Sequence, residues 1–325
     1  MLGEEVLFME DELTSIFFPN ISAEYARLRE SPINFVHYTS AEAALKIIKS
    51  RKIWLRNTNV MNDASEVRHG TNLVRQFFAS DKGRPFFECL NRLYEGSEYR
   101  LKRLYDEWVE DLEANTYVCC LSEHDDSITP SGTLSMWRAY GRSNGVALVL
   151  NPYFLYSDTT EHQTYSYPIF YKTDEEAGEM FQDFCKNFIM AESQLHSLDD
   201  DTLLNWSHGA LQAFAITLKH PAFREEKEWR IVHRPIQNPS QTVLPIMESI
   251  GGVAQTIYEL PIHNETIQTT NNLRIEALLE RVIIGPSQAP DVVARALVNA
   301  LTPLLGFDDA VYKIRQTSIP LRTDG

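Results

Sequence analysis

The chain has 325 residues, of which 43% are hydrophobic and 23% charged, a balance typical of a folded globular protein rather than a disordered one. Asp and Glu outnumber Lys and Arg by 45 to 30, and the resulting formal charge of −15 argues against broad electrostatic binding to nucleic acid. The sequence contains no apolar run long enough for a membrane span, no basic signal peptide and no disulfide pattern among its four cysteines, so we expect a cytoplasmic location without membrane association.

The first half of the chain is predicted to mix short strands with helices. An acidic segment with apolar residues at helical spacing predicts amphipathic helices over 5–30, broken at Pro19 and packed on the main body. In chain order we then expect a strand at 33–38, a helix at 41–50 capped by Thr39 or Ser40, a strand at 52–57, a loop at 59–70 leading into a helix that runs towards Ser80, helical residues at 84–113, a strand at 115–123, a short helix at 134–141 and a strand at 145–150.

In the second half, helices come in blocks rather than in strict alternation with strands. We expect a strand at 165–171, helices at 174–196 and 203–219, strands at 226–235, 257–262 and 279–286, a helix at 290–306 and a closing strand at 310–322. This order predicts an α+β fold with a mixed, mainly antiparallel sheet core and helical insertions. Residues 1–32 are expected to form an N-terminal helical extension and 33–325 a single α+β domain, with 174–219 as a helical subdomain.

Several enzyme classes are disfavoured by missing motifs. Neither a glycine-rich dinucleotide loop nor a P-loop is present, which argues against a Rossmann dehydrogenase and a P-loop ATPase. The nine histidines include no H-E-x-x-H and no close pair, so we expect no metal site. The G-x-S-x-G nucleophile elbow is also absent.

Two polar clusters in the first 66 residues are candidate ligand contacts. His37–Ser40 lies where a predicted strand ends, and an imidazole and two hydroxyls at such a point can hold a ribose. The alternative is that Tyr38 is a core residue and the cluster merely caps the next helix. Asn62, Asp63 and Glu66 could brace a ligand loop, or they could form a capping box.

Two further clusters combine aromatic or charged residues. Trp137 and Tyr140 follow a polar loop and could stack on a flat ring, or they could be ordinary core residues. In the predicted strand 227–233, alternation places Glu228 and Arg230 on one face. The alternative there is an ion pair on a solvated face.

Taken in order, these clusters resemble the bacterial family called domain of unknown function 2971. The resemblance covers about residues 33–322, and it departs from the family pattern in the longer loop at 127–133. The N-terminal segment lies outside it. The matching motifs are His37–Ser40, Lys52–Leu55, Asn62–Glu66, Cys120–Glu123, Met136–Tyr140, Gly145–Leu148, Glu226–Arg230, Ile283–Pro286 and Ser318–Arg322.

The layout of that family is similar to ADP-ribosyltransferases of the His-Tyr-Glu type, which implies a split sheet and NAD as a substrate. By this resemblance His37 holds the adenosine-side ribose, and Tyr140, or Trp137 in second place, stacks on the nicotinamide. Glu228 bonds the nicotinamide ribose and orients the attack. The residues expected to bind NAD are His37, Tyr38, Thr39, Ser40, Arg56, Asn62, Asp63, Ser122, Trp137 and Arg230, with Arg230 or Arg56 on the pyrophosphate.

The expectation from sequence is therefore an NAD-consuming ADP-ribosyltransferase or NAD glycohydrolase, acting as a toxin or phage-defence effector on a protein or nucleic-acid acceptor. An alternative is a non-enzymatic module on the same fold that senses a nucleotide or binds a partner protein. A nuclease is a third hypothesis, which the charge of −15 and the absence of a paired-carboxylate metal motif disfavour.

Overall fold

The computed structural model describes residues 12–60, 65–141, 144–152, 155, 162–262 and 274–319. Besides helical residues 12–17, the helices are α1 (Pro19–Glu30), α2 (Ala41–Ser50), α3 (Ser65–Ala79), α4 (Arg84–Leu93), α5 (Ser97–Asn115), α6 (Leu134–Met136), α7 (Asp174–Met190), α8 (Glu192–Leu195), α9 (Asp200–Thr217), α10 (Ile275–Leu278), α11 (Pro290–Leu305) and α12 (Phe307–Lys313). A π-helical turn, Trp137–Gly141, follows α6, and the 3-10 turns are Thr58–Val60 and Pro221–Glu226.

The strands are β1 (Asn34–Ser40), β2 (Lys52–Asn57), β3 (Tyr117–His124), β4 (Asn144–Leu150), β5 (Thr164–Pro168), β6 (Phe170–Tyr171), β7 (Leu218–Lys219), β8 (Glu228–His233), β9 (Leu244–Ile250), β10 (Val253–Pro261), β11 (Leu279–Ser287) and β12 (Ile314–Gln316). Ten of the described strands form one sheet in the order β12-β11-β4-β1-β3-β2-β10-β9, with β8 pairing both β3 and β5. The β11–β12 pair is parallel. The pairs β1–β3, β1–β4, β2–β3, β2–β10, β3–β8, β4–β11 and β9–β10 are antiparallel. The α+β class and mainly antiparallel sheet are confirmed; the ADP-ribosyltransferase-like split remains a prediction.

Local sequence signals explain where the main helices begin. The Ser40 hydroxyl accepts a hydrogen bond from the Ala43 N–H and so caps α2. Thr173 and Glu176 form a reciprocal capping box at the start of α7. The Asp199 carboxylate accepts from the Thr202 N–H at the start of α9. Each cap satisfies backbone donors that the first helical turn leaves without a partner.

The largest differences from the sequence predictions are at the closing strand and at β9. The segment predicted as a strand at 310–322 is helical as far as Lys313, because Asp308 and Asp309 favour the first turn of a helix. Among its described residues, which end at 319, only Ile314–Gln316 is strand. The strand β9 was not predicted. It forms a hairpin with β10 through Gly251 and Gly252, whose φ angles of 60° and 82° fit a tight two-residue turn.

The chain divides into two compact units. The first contains residues 12–30, 58–116 and 167–224, so the predicted subdomain at 174–219 falls into this helical unit. Its core is aromatic, with Phe77 stacked on Phe181 at 4.7 Å between ring centroids. Gly70 allows α3 to cross α9 closely, since an added Cβ would lie 1.9 Å from the Ala215 carbonyl oxygen.

The second unit contains residues 31–57, 117–166 and 225–319, with the central strands of the large sheet. Its central strands β3, β4 and β8 are almost wholly buried. Strand β8 carries polar residues among apolar ones, and this unit contains the residues singled out from the sequence except those at 62–66. Among the described helices, none is both long and apolar enough to cross a membrane.

Candidate functional site

Glu228 and Arg230 form a buried bidentate ion pair on β8. The Arg230 Nε donates to Glu228 Oε1 at 2.7 Å, and Arg230 Nη2 donates to Oε2 at 3.1 Å. The two side chains are only 5% and 6% exposed. Strand alternation predicted that they project together, and an ion pair was the alternative interpretation, but the pair lies in the interior rather than on a solvated face. Two charge-assisted hydrogen bonds fix the orientation of the carboxylate.

The residues opposite this pair on β3 are Ser122 and Cys120. Ser122 is paired with Glu228 and Cys120 with Arg230, so all four share one face of the ladder. Burial, and secondarily the Glu228 carboxylate, raises the pKa of Cys120 well above its ordinary value. Burial also raises the pKa of Cys119 to about 12. Neither thiol therefore supplies a thiolate nucleophile at neutral pH.

His37 binds the backbone of β3 rather than an open crevice. In the β1–β3 ladder, Val36 is paired with Ser122. His37 follows Val36 on β1, and its Nδ1 lies 3.0 Å from the Cys120 carbonyl oxygen. A carbonyl accepts only, so Nδ1 carries the proton. Burial lowers the pKa of His37, the bond to Cys120 opposes this shift, and the charge of Arg56 adds to it.

His37 and Glu228 lie on opposite faces of the sheet. Glu228 shares a face with Ser122 and, through the β1–β3 register, with Val36. His37 follows Val36 and therefore points to the other face, where its Nδ1 is 3.5 Å from the Cys119 sulfur. On that same face Phe35 and Trp229 rings meet edge to face at 5.7 Å. The two residues assigned to one NAD molecule thus do not converge from one face.

The other residues of the His37–Ser40 cluster have structural contacts. The Thr133 N–H donates to the Tyr38 hydroxyl at 2.9 Å, and burial raises the pKa of that phenol. Ser40 caps α2. Thr39 is half-buried. Tyr38 is therefore a core residue and Ser40 a helix cap, and the ligand roles of the cluster remain predictions.

Trp137 is packed into the core of the second unit. Its ring meets that of Tyr38 edge to face at 5.0 Å, its Nε1 donates to the Ser131 carbonyl at 2.9 Å, and it is only 3% exposed. An added Cβ on Gly285 would lie 2.5 Å from the ring. Because both its edge and its face are in contact with protein, Trp137 offers no open surface for a nicotinamide.

The remaining predicted site residues are less enclosed or are not described. Tyr140 is half-buried and packs against the same cluster as Trp137. Arg56 is half-buried, and its Nε donates to Gln255 Oε1 at 3.2 Å. Asn62 and Asp63, together with the side chain of Glu66, lie outside the described residues.

A second polar cluster, which the sequence motifs did not indicate, lies at the end of β3. The Asp126 Oδ1 lies 2.9 Å from His124 Nε2, and it accepts a hydrogen bond from Arg281 Nη1 at 2.7 Å. The local signal was the His-Asp-Asp run at 124–126 directly after a strand. Arg281 could not be linked to it, since 155 residues separate it from Asp126. Within the described part of the chain, no group of three or more His, Cys, Asp or Glu side chains could hold a metal ion.

Comparison with known families gives one match. Residues 136–231 match the model of a family described as "Protein of unknown function (DUF2971)". The match supports the DUF2971 resemblance drawn from the motifs. The matched segment covers less than a third of the chain, and it includes the motifs at 136–140, 145–148 and 226–230 but not the one at 37–40. No curated protein and no solved structure matches the chain.

Proposed function

We propose that this DUF2971-like protein is an NAD-consuming ADP-ribosyltransferase in which Glu228 is the reacting carboxylate. The observation that supports the proposal is the Glu228–Arg230 pair, a buried carboxylate held in one orientation with the Ser122 hydroxyl on the same face. Fixed charges of this kind stabilise developing charge well, because they do not need to reorganise during the reaction.

The chemistry needs such a carboxylate. Breaking the bond between nicotinamide and ribose leaves the electron pair on the departing nicotinamide, and positive charge develops on the ribose ring. The negative charge of Glu228 stabilises that oxocarbenium-like state, and the effect is larger at a buried site than in water. The acceptor, either water or a nucleophile on a protein or nucleic acid, then bonds to the ribose carbon and loses its proton.

In this proposal, the role of each residue depends on the face of the sheet on which its side chain lies. Ser122 lies beside Glu228, and we assign it to a ribose hydroxyl. Tyr140, which is half-buried, remains the aromatic residue assigned to the nicotinamide. His37 is a positioning residue in this proposal, since its ring holds the Cys120 carbonyl from the opposite face. A cytoplasmic toxin or phage-defence role is part of the proposal.

A second candidate is a nucleotide-sensing module without catalysis. This candidate is favoured because the carboxylate of Glu228 is already occupied and buried. Both of its oxygens bind Arg230, and the side chain is 5% exposed. A substrate could reach the carboxylate only if the pair opened. This candidate predicts a thermal shift with NAD but no product.

The deciding experiment follows nicotinamide release from NAD by chromatography. The variant pair is E228Q and E228Q/R230Q, because the double variant removes both charges and leaves no uncompensated buried cation. The control is E259Q, which removes a carboxylate that is ion-paired with Lys52 elsewhere in the same sheet. We expect release by the wild type and by E259Q, and loss of release in both Glu228 variants while their circular dichroism stays native. Equal release by folded E228Q/R230Q and the wild type would refute the role of Glu228.

A further inference from the structure

The cluster of His124, Asp126 and Arg281 has unused hydrogen-bonding capacity. Only one nitrogen of each basic side chain contacts Asp126, namely Nε2 of His124 and Nη1 of Arg281. Among the described residues, neither His124 Nδ1 nor the Nε and Nη2 of Arg281 has a side-chain or backbone partner. A guanidinium with two uncommitted nitrogens matches the oxygens of a phosphate group.

The exposure of the three side chains gives the cluster a closed side and an open side. The His124 side chain is 2% exposed, whereas Asp126 and Arg281 are 38% and 32% exposed. The buried imidazole and the partly exposed guanidinium suit a bound anion that remains partly in contact with water. Asp126 orients both groups, because its Oδ1 contacts each of them.

The cluster lies on the same face of the sheet as Glu228. Ser122 is directly opposite Glu228, and His124 follows two residues later on β3, so its side chain points to the same side. Diagonal neighbours of this kind have Cα atoms about 7–8 Å apart, within reach of one ligand. Arg281 is paired with Val149, which packs with Val36 on that face. In a dinucleotide, the pyrophosphate adjoins the nicotinamide ribose, so this spacing fits one bound NAD.

We propose that His124 and Arg281, positioned by Asp126, form the subsite that binds the pyrophosphate of the dinucleotide. This inference rests on the proposed function and extends it to residues outside the expected NAD contacts. Arg281 donates to the phosphate oxygens through Nε and Nη2. His124 contributes its second ring nitrogen, Nδ1, to the same ligand. In a chain with a formal charge of −15, a local site of this kind is needed to attract a polyanion.

The alternative is a purely structural clasp that fixes the loop after β3 to β11, and titration calorimetry with inorganic pyrophosphate separates the two. R281Q removes the guanidinium. H124Q can keep a bond to Asp126 in place of Nε2 while it removes Nδ1. R295Q, which removes an exposed arginine of α11, is the control. We expect R281Q and H124Q to weaken pyrophosphate binding at least about tenfold and R295Q to leave it unchanged.

Each result decides one of the two proposals. If R281Q has a lower melting temperature but binds pyrophosphate as the wild type does, the cluster is a clasp and the inference is overturned. Absence of pyrophosphate binding by the folded wild type overturns it as well. Nicotinamide release is measured on the same samples. Arg281-dependent pyrophosphate binding without release supports the subsite and contradicts the transferase, whereas release with binding that does not depend on Arg281 contradicts the subsite alone.

Discussion

His37 and Glu228 project from opposite faces of the sheet, with β3 between their strands. His37 acts on β3 through the Cys120 carbonyl, and Glu228 lies beside Ser122 on the other side of the same strand. The single strand β3 therefore links the two residues that motif order placed in one site. Substitutions at either residue therefore affect β3. Those at His37 act through the hydrogen bond to the Cys120 carbonyl, and those at Glu228 act on the face that carries Ser122.

Removal of one partner of the Glu228–Arg230 pair should destabilise the fold strongly. E228Q removes the charge that Arg230 pairs with in a buried bidentate contact, and we expect a loss of about 3–5 kcal/mol in the free energy of unfolding. E228Q/R230Q should recover part of this loss, because both charges of the buried pair are removed together. Urea denaturation of the wild type, both single variants and the double variant completes a cycle that measures the coupling. Additive losses in the double variant would contradict a direct interaction.

Lowering the pH should destabilise the protein through His233. Burial lowers its pKa below the ordinary value of 6.5, its Nδ1 is 3.1 Å from the Gln163 carbonyl oxygen, and its Nε2 has no partner among the residues that the structure describes. Since the unfolded chain binds the proton more readily than the folded one, the free energy of unfolding falls as the pH drops below about 6.5. The pKa of His37 is lowered in the same direction.

The measurement is urea denaturation at about pH 7.5 and about pH 5.5. H233Q should lose stability at the higher pH and show a smaller further loss at the lower pH than the wild type. H196Q removes an exposed histidine and is the control, with an unchanged pH dependence. An H233Q protein whose stability falls with pH as steeply as that of the wild type would contradict this assignment.

An added methyl group at Gly285 should disturb the packing of Trp137. The new Cβ of G285A would lie 2.5 Å from the indole, so the ring or the strand must move, and we expect a destabilisation of about 1–3 kcal/mol. Near-ultraviolet circular dichroism should report the altered environment of the tryptophan. The matched control is G209A in α9, where the new Cβ meets only Phe18 at 3.6 Å. That variant should be stabilised by about 0.4–1 kcal/mol, and a neutral G285A would show that the site tolerates repacking.

The thiols should react slowly in the folded protein. Burial raises the pKa of Cys89 to about 11 and that of both Cys119 and Cys185 to about 12, and it raises that of Cys120 as well. At about pH 8 the thiolate fraction is therefore small, and Cys89, Cys119 and Cys185 are also buried. Ellman's reagent should label the native protein slowly and all four cysteines rapidly in denaturant. Rapid native labelling of Cys120 would show that the Glu228 face opens readily.

Much of the fold could be predicted because its elements carry local signals. The helix at 41–50 and the strand at 52–57 have the predicted bounds, since a cap, an amphipathic period and a short apolar run define them. The hairpin β9–β10 was missed although its Gly-Gly turn is visible in the sequence. Strand β9 is largely exposed and lacks the apolar run by which buried strands are identified.

The sequence by itself determined the elements, the α+β class, the order of the motifs and the shared face of Glu228 and Arg230. These depend on periods of two and 3.6 residues and on short-range caps. Only the tertiary structure decided that His37 faces away from Glu228, that the ion pair is buried and that Arg281 meets Asp126. The reason is physical: the relative faces of different strands depend on their pairing register, and burial depends on what packs above them. Both are set by contacts between residues far apart in the chain.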